Sequence, residues 1–168
     1  MTIYTIGHSN TPMEKLIGNL RLHGIETLVD VRSSPYSKHA PQYSHDFLKA
    51  EFDGGDIGYE FMGDCLGGMP AKPEYRNSKG EPDYGKMAKD DWFEDGIERV
   101  ISMASRSVVC LMCSEEDPAK CHRSMLVSAE LAKRKVRVLH IRGDGALETE
   151  EENAKRRFSA KKAQMDLF

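Results

Sequence analysis

Short β-rich runs at residues 3–6, 25–31, 57–61, 107–112 and 136–141 recur along the chain, with a helical pattern between most of them. Each run is long enough for one strand and is flanked by turn residues. Parallel strands must be joined by long crossovers, usually helical, so this alternation restricts the chain to a mostly parallel sheet with helices packed on it. The expected fold is α/β, with about five strands and helices on both faces, over residues 1–146.

The intervening segments carry helix signals. Thr11-Pro12-Met13-Glu14 offers a capping residue, a proline and an early glutamate, and Met13, Leu16, Ile17 and Leu20 follow at helical spacing until Gly24. Ile97, Val100, Ile101 and Ala104 repeat the pattern behind an acidic start at residues 91–94, and Asp117-Pro118 opens a helix expected to reach Lys133. Residues 62–90 hold Gly63, Gly67, Gly68, Pro70, Pro73, Gly80, Pro82 and Gly85, turn chemistry over a length that compact domains seldom spend on plain connection. They read as a lid or binding loop. Residues 147–168 read as a polar C-terminal helix or tail.

Composition limits the function classes. The 168 residues suit one domain, and 24 basic against 27 acidic residues give a net charge of −3, which excludes a generally basic nucleic-acid coat protein but leaves room for a local basic face. Runs such as residues 108–112 are far shorter than the roughly 20 apolar residues a membrane span needs. The Met-Thr-Ile-Tyr-Thr-Ile start alternates like a strand and lacks the features of a secretion signal, so a cytoplasmic location is expected. Cys65, Cys110, Cys113 and Cys121 then read as reduced thiols or ligands rather than a disulfide framework.

In an open parallel sheet, ligands bind beyond the carboxyl ends of the strands. Those ends carry His8 and Ser9, then Asp30, Arg32 and Ser33, then Cys113 and Glu115. Across seven intervening residues from Cys113 come Cys121, His122 and Arg123, at the start of a helix whose dipole, with the neighbouring cations, would lower a thiol's pKa. Three kinds of site fit these residues. In a hydrolytic site Asp30 activates water, His8 or His122 moves a proton, and Arg32 and Arg123 bind phosphate with Ser9, Ser33 and Glu115 beside them. In a thiol site Cys121 or Cys113 is the nucleophile and the other resolves it. In a structural zinc site Cys110, Cys113, Cys121 and His122 supply ligands, against which stands the strand alternation that points Cys110 and Cys113 to different sides of the sheet.

Thr5-Ile6-Gly7-His8-Ser9, Leu28-Val29-Asp30-Val31-Arg32-Ser33-Ser34-Pro35, Leu66-Gly67-Gly68, Cys113-Ser114-Glu115, Cys121-His122-Arg123 and Val138-Leu139-His140-Ile141 resemble, in order over about residues 3–142, the family catalogued as domain of unknown function 488. The resemblance implies a bacterial-type cytosolic α/β domain whose motif residues here are His8, Ser9, Asp30, Arg32, Cys113, Glu115, Cys121, His122 and Arg123. It implies little about the reaction. Cys110 and the long loop lie outside those motifs.

The chain ends in Gln164-Met165-Asp166-Leu167-Phe168, which resembles the peptide by which bacterial repair and replication proteins hold the sliding clamp. There Leu167 and Phe168 would fill an apolar pocket, with Gln164 and Asp166 at its rim; the alternative is an amphipathic tail folded back on the domain. The leading expectation is an enzyme that hydrolyses a glycosidic or phosphoester bond in a nucleotide or damaged DNA, without an evident cofactor and recruited by the clamp. The alternatives are a thiolate redox or transfer enzyme and a non-catalytic nucleotide or nucleic-acid binder.

Overall fold

The computed structural model describes residues 1–165. Six strands form one sheet in the order β3-β2-β4-β1-β5-β6. These are β1 (Thr2–Gly7), β2 (Thr27–Asp30), β3 (Gly58–Phe61), β4 (Val109–Cys113), β5 (Arg137–Ile141) and β6 (Leu147–Thr149). The first five coincide with the apolar runs and pair in parallel, with β4 between β1 and β2. β6 is the addition: after a turn through Gly145, at φ +87°, residues 147–149 fold back antiparallel on β5, so the segment expected to be tail contributes to the sheet.

Each central strand is buried on both faces, and the side-chain alternation divides the core in two. Val109, Leu111 and Cys113 of β4 join one cluster, whereas Cys110 and Met112 join the other. The first cluster is covered by α5 (Asp91–Ala104), which turns in Phe93, Ile97 and Val100, and by the helical segment ending in α6 (Ala129–Lys133). The second lies under α1 (Met13–Leu22) and α2 (His45–Phe52), through Leu16, Leu20, Leu48 and Phe52. At the start of α1 the expected cap differs: Pro12 rather than Thr11 is the N-cap, and no side chain caps the helix.

The helix expected from Asp117 to Lys133 is broken into three pieces. Asp117 accepts from the Ala119 N–H at 3.1 Å and heads a 3-10 turn, Pro118–Lys120; Arg123–Ser128 then winds as a π-helix before α6 begins. The wide turns place two buried polar side chains against separate partners. Arg123 reaches the Thr5 hydroxyl and the loop after β4, while Ser124 donates to Glu150 at 2.9 Å. π-Turns of this kind are frequent at functional sites.

Within residues 62–90 the chain forms α3 (Gly63–Leu66), a 3-10 turn Pro73–Tyr75 and α4 (Tyr84–Met87). α7 (Glu150–Met165) closes the chain, and it docks through charge rather than an apolar stripe. Arg156 pairs with Asp117 at 2.7 Å and with Glu148 at 2.9 Å, and buried Asn153 donates to Ser124 at 2.6 Å. No helix among the described residues is long and apolar enough to cross a membrane.

Arg142 holds the Glu116 carboxyl, and Arg156 the Asp117 carboxyl, below their usual ranges. A depressed carboxylate pKa contributes stability that is present above the unfolded values, 4.5 and 3.8 here, and is lost as the pH falls through the lower folded values. Arg156→Ala is therefore expected to lower stability by up to about 1 kcal/mol at pH 7, since the pair is partly screened by solvent. Urea unfolding at pH 7 and pH 3 should show the difference from the native chain shrinking at the lower pH.

Candidate functional site

The helices that follow β1 and β2 lie on one face of the sheet, and the helix that follows β4 lies on the other. The connections therefore diverge around the carboxyl end of β4, where an α/β sheet opens its binding crevice. Gly7 allows the loops to meet there: a Cβ at this position would lie 1.8 Å from the Glu115 carbonyl oxygen. The backbone continues the ladder beyond the strands, with the His8 N–H donating to the Cys113 carbonyl at 2.9 Å and the Ser9 N–H to Ser114 at 2.7 Å.

Asp30 and Arg32 form a buried bidentate pair, with Nε to Oδ1 at 2.8 Å and Nη2 to Oδ2 at 2.6 Å. Asp30 also accepts from the Arg32 N–H and from the Tyr59 hydroxyl at 2.9 Å, and it is 0% exposed. A carboxylate so enclosed has no route to a water molecule. Asp30, expected to activate water, instead positions Arg32. The Arg32 guanidinium further donates to the Tyr43 carbonyl at 2.7 Å and to His8 Nε2 at 3.1 Å.

Because Nε2 of His8 accepts from Arg32, its ring proton is on Nδ1, which donates to the Ser9 carbonyl at 2.6 Å. The ring stacks on Tyr43 with centroids 4.1 Å apart. Burial, together with the Arg32 charge, pulls His8 down to about 4. At neutral pH it is a fixed neutral ring, so the expected proton-carrying role has no group to serve it. Ser9 is exposed on the loop at φ +46°.

The second group is at the mouth of the crevice. Cys113 Sγ lies 3.2 Å from Glu115 Oε2 and 3.5 Å from His122 Nδ1, and Cys121 Sγ lies 3.9 Å from the same nitrogen. The His122 Nε2–H donates to the Val31 carbonyl at 3.0 Å, which leaves Nδ1 facing the sulfurs with its lone pair. Gly68 makes room for that ring, since a Cβ there would lie 2.4 Å from His122 Cγ. Hydrogen bonding from Cys113, aided by the Arg123 charge, holds the Cys121 thiol well below its usual range, and Cys113, beside the Cys121 sulfur, rises in turn. Desolvation and the Cys121 charge raise the Glu115 carboxyl.

Cys113, Glu115 and His122 line a pocket of about 280 Å³, with Ser33, Tyr84 and Lys120 around it. Through Ser33 and Met69 it adjoins a groove of about 460 Å³ bordered by Tyr75 and Trp92, whose rings meet edge to face at 5.9 Å. Residues 62–90 thus supply Gly68, Met69 and Tyr84 to one space and Tyr75 to the other. Trp92, Tyr84 and Lys120 are wall residues that the motifs did not single out; for Tyr84 the density of glycine and proline over positions 62–90 was the available signal.

The structure gathers Cys113, Glu115, Cys121, His122, Arg32 and Ser33 at this mouth. Asp30, His8 and Ser9 do not line it, and Arg123 and Cys110 also fall elsewhere. Arg123 is 0% exposed and donates to the Thr5 hydroxyl at 3.2 Å and to the carbonyls of Glu115 and Glu116, so it anchors the loop after β4 instead of binding a phosphate. Cys110 is buried in the opposite core cluster, which removes it from the expected zinc set, whereas Cys113, Cys121 and His122 place their ligand atoms within 4.8 Å of one another and could hold a metal ion. Of the terminal peptide, Asp166, Leu167 and Phe168 lie outside the described residues, and α7 runs to Met165 just beyond Gln164.

The family model described as Domain of unknown function DUF488 matches residues 12–129. The chain belongs to that family. In this DUF488 domain the matched stretch begins just before α1 and ends at the first residue of α6, so it contains the Asp30–Arg32 pair and the whole Cys113–His122 group, while His8 and Ser9 precede it. No curated protein and no solved structure matches the DUF488 chain.

Removing the Asp30 charge leaves the Arg32 guanidinium buried without its counter-ion. Asp30→Asn is accordingly expected to destabilise the DUF488 domain by about 3 kcal/mol or more, the usual consequence of breaking a buried ion pair from one side. Equilibrium urea denaturation checks this; a loss under about 1 kcal/mol, the scale of an exposed pair, would contradict the structural role.

Proposed function

We propose that this DUF488 chain is an enzyme that hydrolyses a nucleotide, free or within nucleic acid, at a glycosidic or phosphoester bond. The observation that carries the reading is the adjacency of two spaces that share Ser33 and Met69 in their walls: a pocket lined by Cys113, His122 and Glu115, and a groove bordered by Trp92 and Tyr75. Aromatic side chains stack on bases of any sequence. The groove would hold the base, Ser33 and Lys120 would meet the anionic part, and the scissile bond would fall beside Cys113, His122 and Glu115, where water adds across it and the leaving group departs with a proton. Asp30 and Arg32 shape the wall and do not touch substrate.

The two sulfurs beside one imidazole favour a second reading, a thiol transfer or redox enzyme with Cys113 facing the pocket and Cys121 behind it. That reading predicts loss of turnover on alkylation of Cys113 and, in its redox form, a Cys113–Cys121 disulfide produced as a disulfide substrate is reduced to two thiols by the same two electrons. Capture by the sliding clamp through Gln164-Met165-Asp166-Leu167-Phe168 remains part of the proposal, supported by the sequence of that peptide.

Nucleoside monophosphates and a short single-stranded oligonucleotide should quench Trp92, the sole tryptophan, and be turned over slowly at low salt. Trp92→Ala is expected to weaken binding about 10-fold, the lower part of the ~1–3 kcal/mol range for one stacked base. Binding without turnover would convert the reading to a sensor, and neither binding nor turnover by calorimetry and product analysis would overturn it. Deleting residues 164–168 should abolish clamp binding and leave turnover of free nucleotides unchanged.

A further inference from the structure

We propose that Cys113, Cys121 and His122 hold a zinc ion whose fourth position faces the pocket beside Glu115. The inference deepens the hydrolytic reading above by naming the cofactor of the same site. It stands first on distances. With Zn–S of about 2.3 Å and Zn–N of about 2.0–2.1 Å, a tetrahedral centre has S···N edges of about 3.6 Å. The two S···N separations here are 3.5 and 3.9 Å, within a few tenths of an ångström of that edge, and all three ligand atoms fall within 4.8 Å of one another.

The surroundings of the three side chains are those that metal ligands need. A ligating histidine is normally oriented by a hydrogen bond from its other nitrogen. The His122 Nε2–H makes that bond to the Val31 carbonyl, and Gly68 clears space for the ring, so Nδ1 is presented as the donor atom. The Arg123 backbone N–H points at Cys121 Sγ at 3.4 Å, a contact that steadies a thiolate ligand. The guanidinium of Arg123 is buried, and its partners are the Thr5 hydroxyl and two carbonyls rather than a carboxylate. A centre of two thiolates, one imidazole and one adjoining carboxylate carries a net charge of −1 around zinc, and Arg123 is the cation that offsets it. The ligand types select the metal: two sulfurs with one nitrogen suit zinc, whereas magnesium and calcium require oxygen.

Three protein ligands and one open position are the pattern of catalytic zinc rather than of a closed structural site. Cys113 lines the pocket while Cys121 is buried behind it, so the open position points to substrate, and Glu115, with Oε2 3.2 Å from Cys113 Sγ, flanks it. On binding, each Zn–S bond replaces any S–H bond still present, and the proton passes to solvent. The other two cysteines take no part: Cys110 belongs to the opposite core, and Cys65 packs beside Gly96 of α5.

The test is zinc content of the full chain, as purified without chelator and again after reduction and reconstitution with zinc alone. One zinc per chain is expected, and cobalt in its place should give thiolate-to-metal charge transfer in the near ultraviolet with intense visible bands of a tetrahedral ion. Cys121→Ser and His122→Gln should each lower zinc affinity by on the order of 100-fold or more, beyond the about 10–100-fold cost of losing an outer hydrogen-bond partner, whereas Cys65→Ser should bind as the native chain does. Should a ligand variant fail to fold, the native chain supplies the answer: zinc is expected to shield the pocket-lining Cys113 from alkylation and leave the reactivity of Cys65 unchanged, as read by peptide mass mapping. Substoichiometric zinc after reconstitution, or alkylation of Cys113 that zinc does not slow, would overturn the assignment. Nucleotide binding through Trp92 is measured separately: its loss with zinc retained removes the hydrolytic reading alone, and its survival in a chain that takes up no zinc removes the zinc alone.

Discussion

A buried guanidinium, that of Arg123, organises the end of the sheet on which the site depends. Its donors reach Thr5 on β1 and the Glu115 and Glu116 carbonyls after β4, so one side chain joins a strand, a loop and a helix start. Burying a charge is costly unless its hydrogen bonds are made, and here they are made to backbone and hydroxyl oxygen. The neighbouring residues inherit their positions: Cys121 and His122 immediately before Arg123, Glu115 at the carbonyl it holds, and Cys113 two residues earlier. A second buried cation repeats the device one strand away, where Arg32 is held by Asp30, His8 and the Tyr43 carbonyl. The two arginines form the foundation under a group of sulfur, imidazole and carboxylate side chains.

Much of the fold was legible because its signals are local. Apolar runs and helical spacing foretold five parallel strands, α1 and α5, since those patterns reflect burial of one or two faces. β6 was not legible: Leu147, Glu148 and Thr149 are three residues with a charge in the middle, and their strand state comes from pairing with β5. The interruption after Asp117 was equally hidden, because a π-turn follows from where Arg123 and Ser124 find partners and not from their own propensities.

The site was legible as a set of residues and less so as a set of roles. Cys113, Glu115, Cys121 and His122 could be singled out because they follow a strand end in a short span. The roles of Asp30, His8 and Arg123 could not, since they depend on Tyr59, the Tyr43 carbonyl and Thr5, which are distant along the chain. Strand alternation did separate Cys110 from Cys113, because which side of a pleat a residue faces is set by parity alone. Residues 62–90 were legible as a binding loop, but not which of their side chains face the pocket, because Gly- and Pro-rich segments carry no periodicity from which a facing direction can be read.

The two outer strands have a consequence for how copies of this protein meet. β3 spans four residues and β6 three, and they carry Glu60 and Glu148, each engaged by an arginine. Short, charged borders are poor templates for sheet extension, the route by which β-containing chains aggregate or swap strands. Self-association along the backbone ladder is thereby discouraged on both flanks.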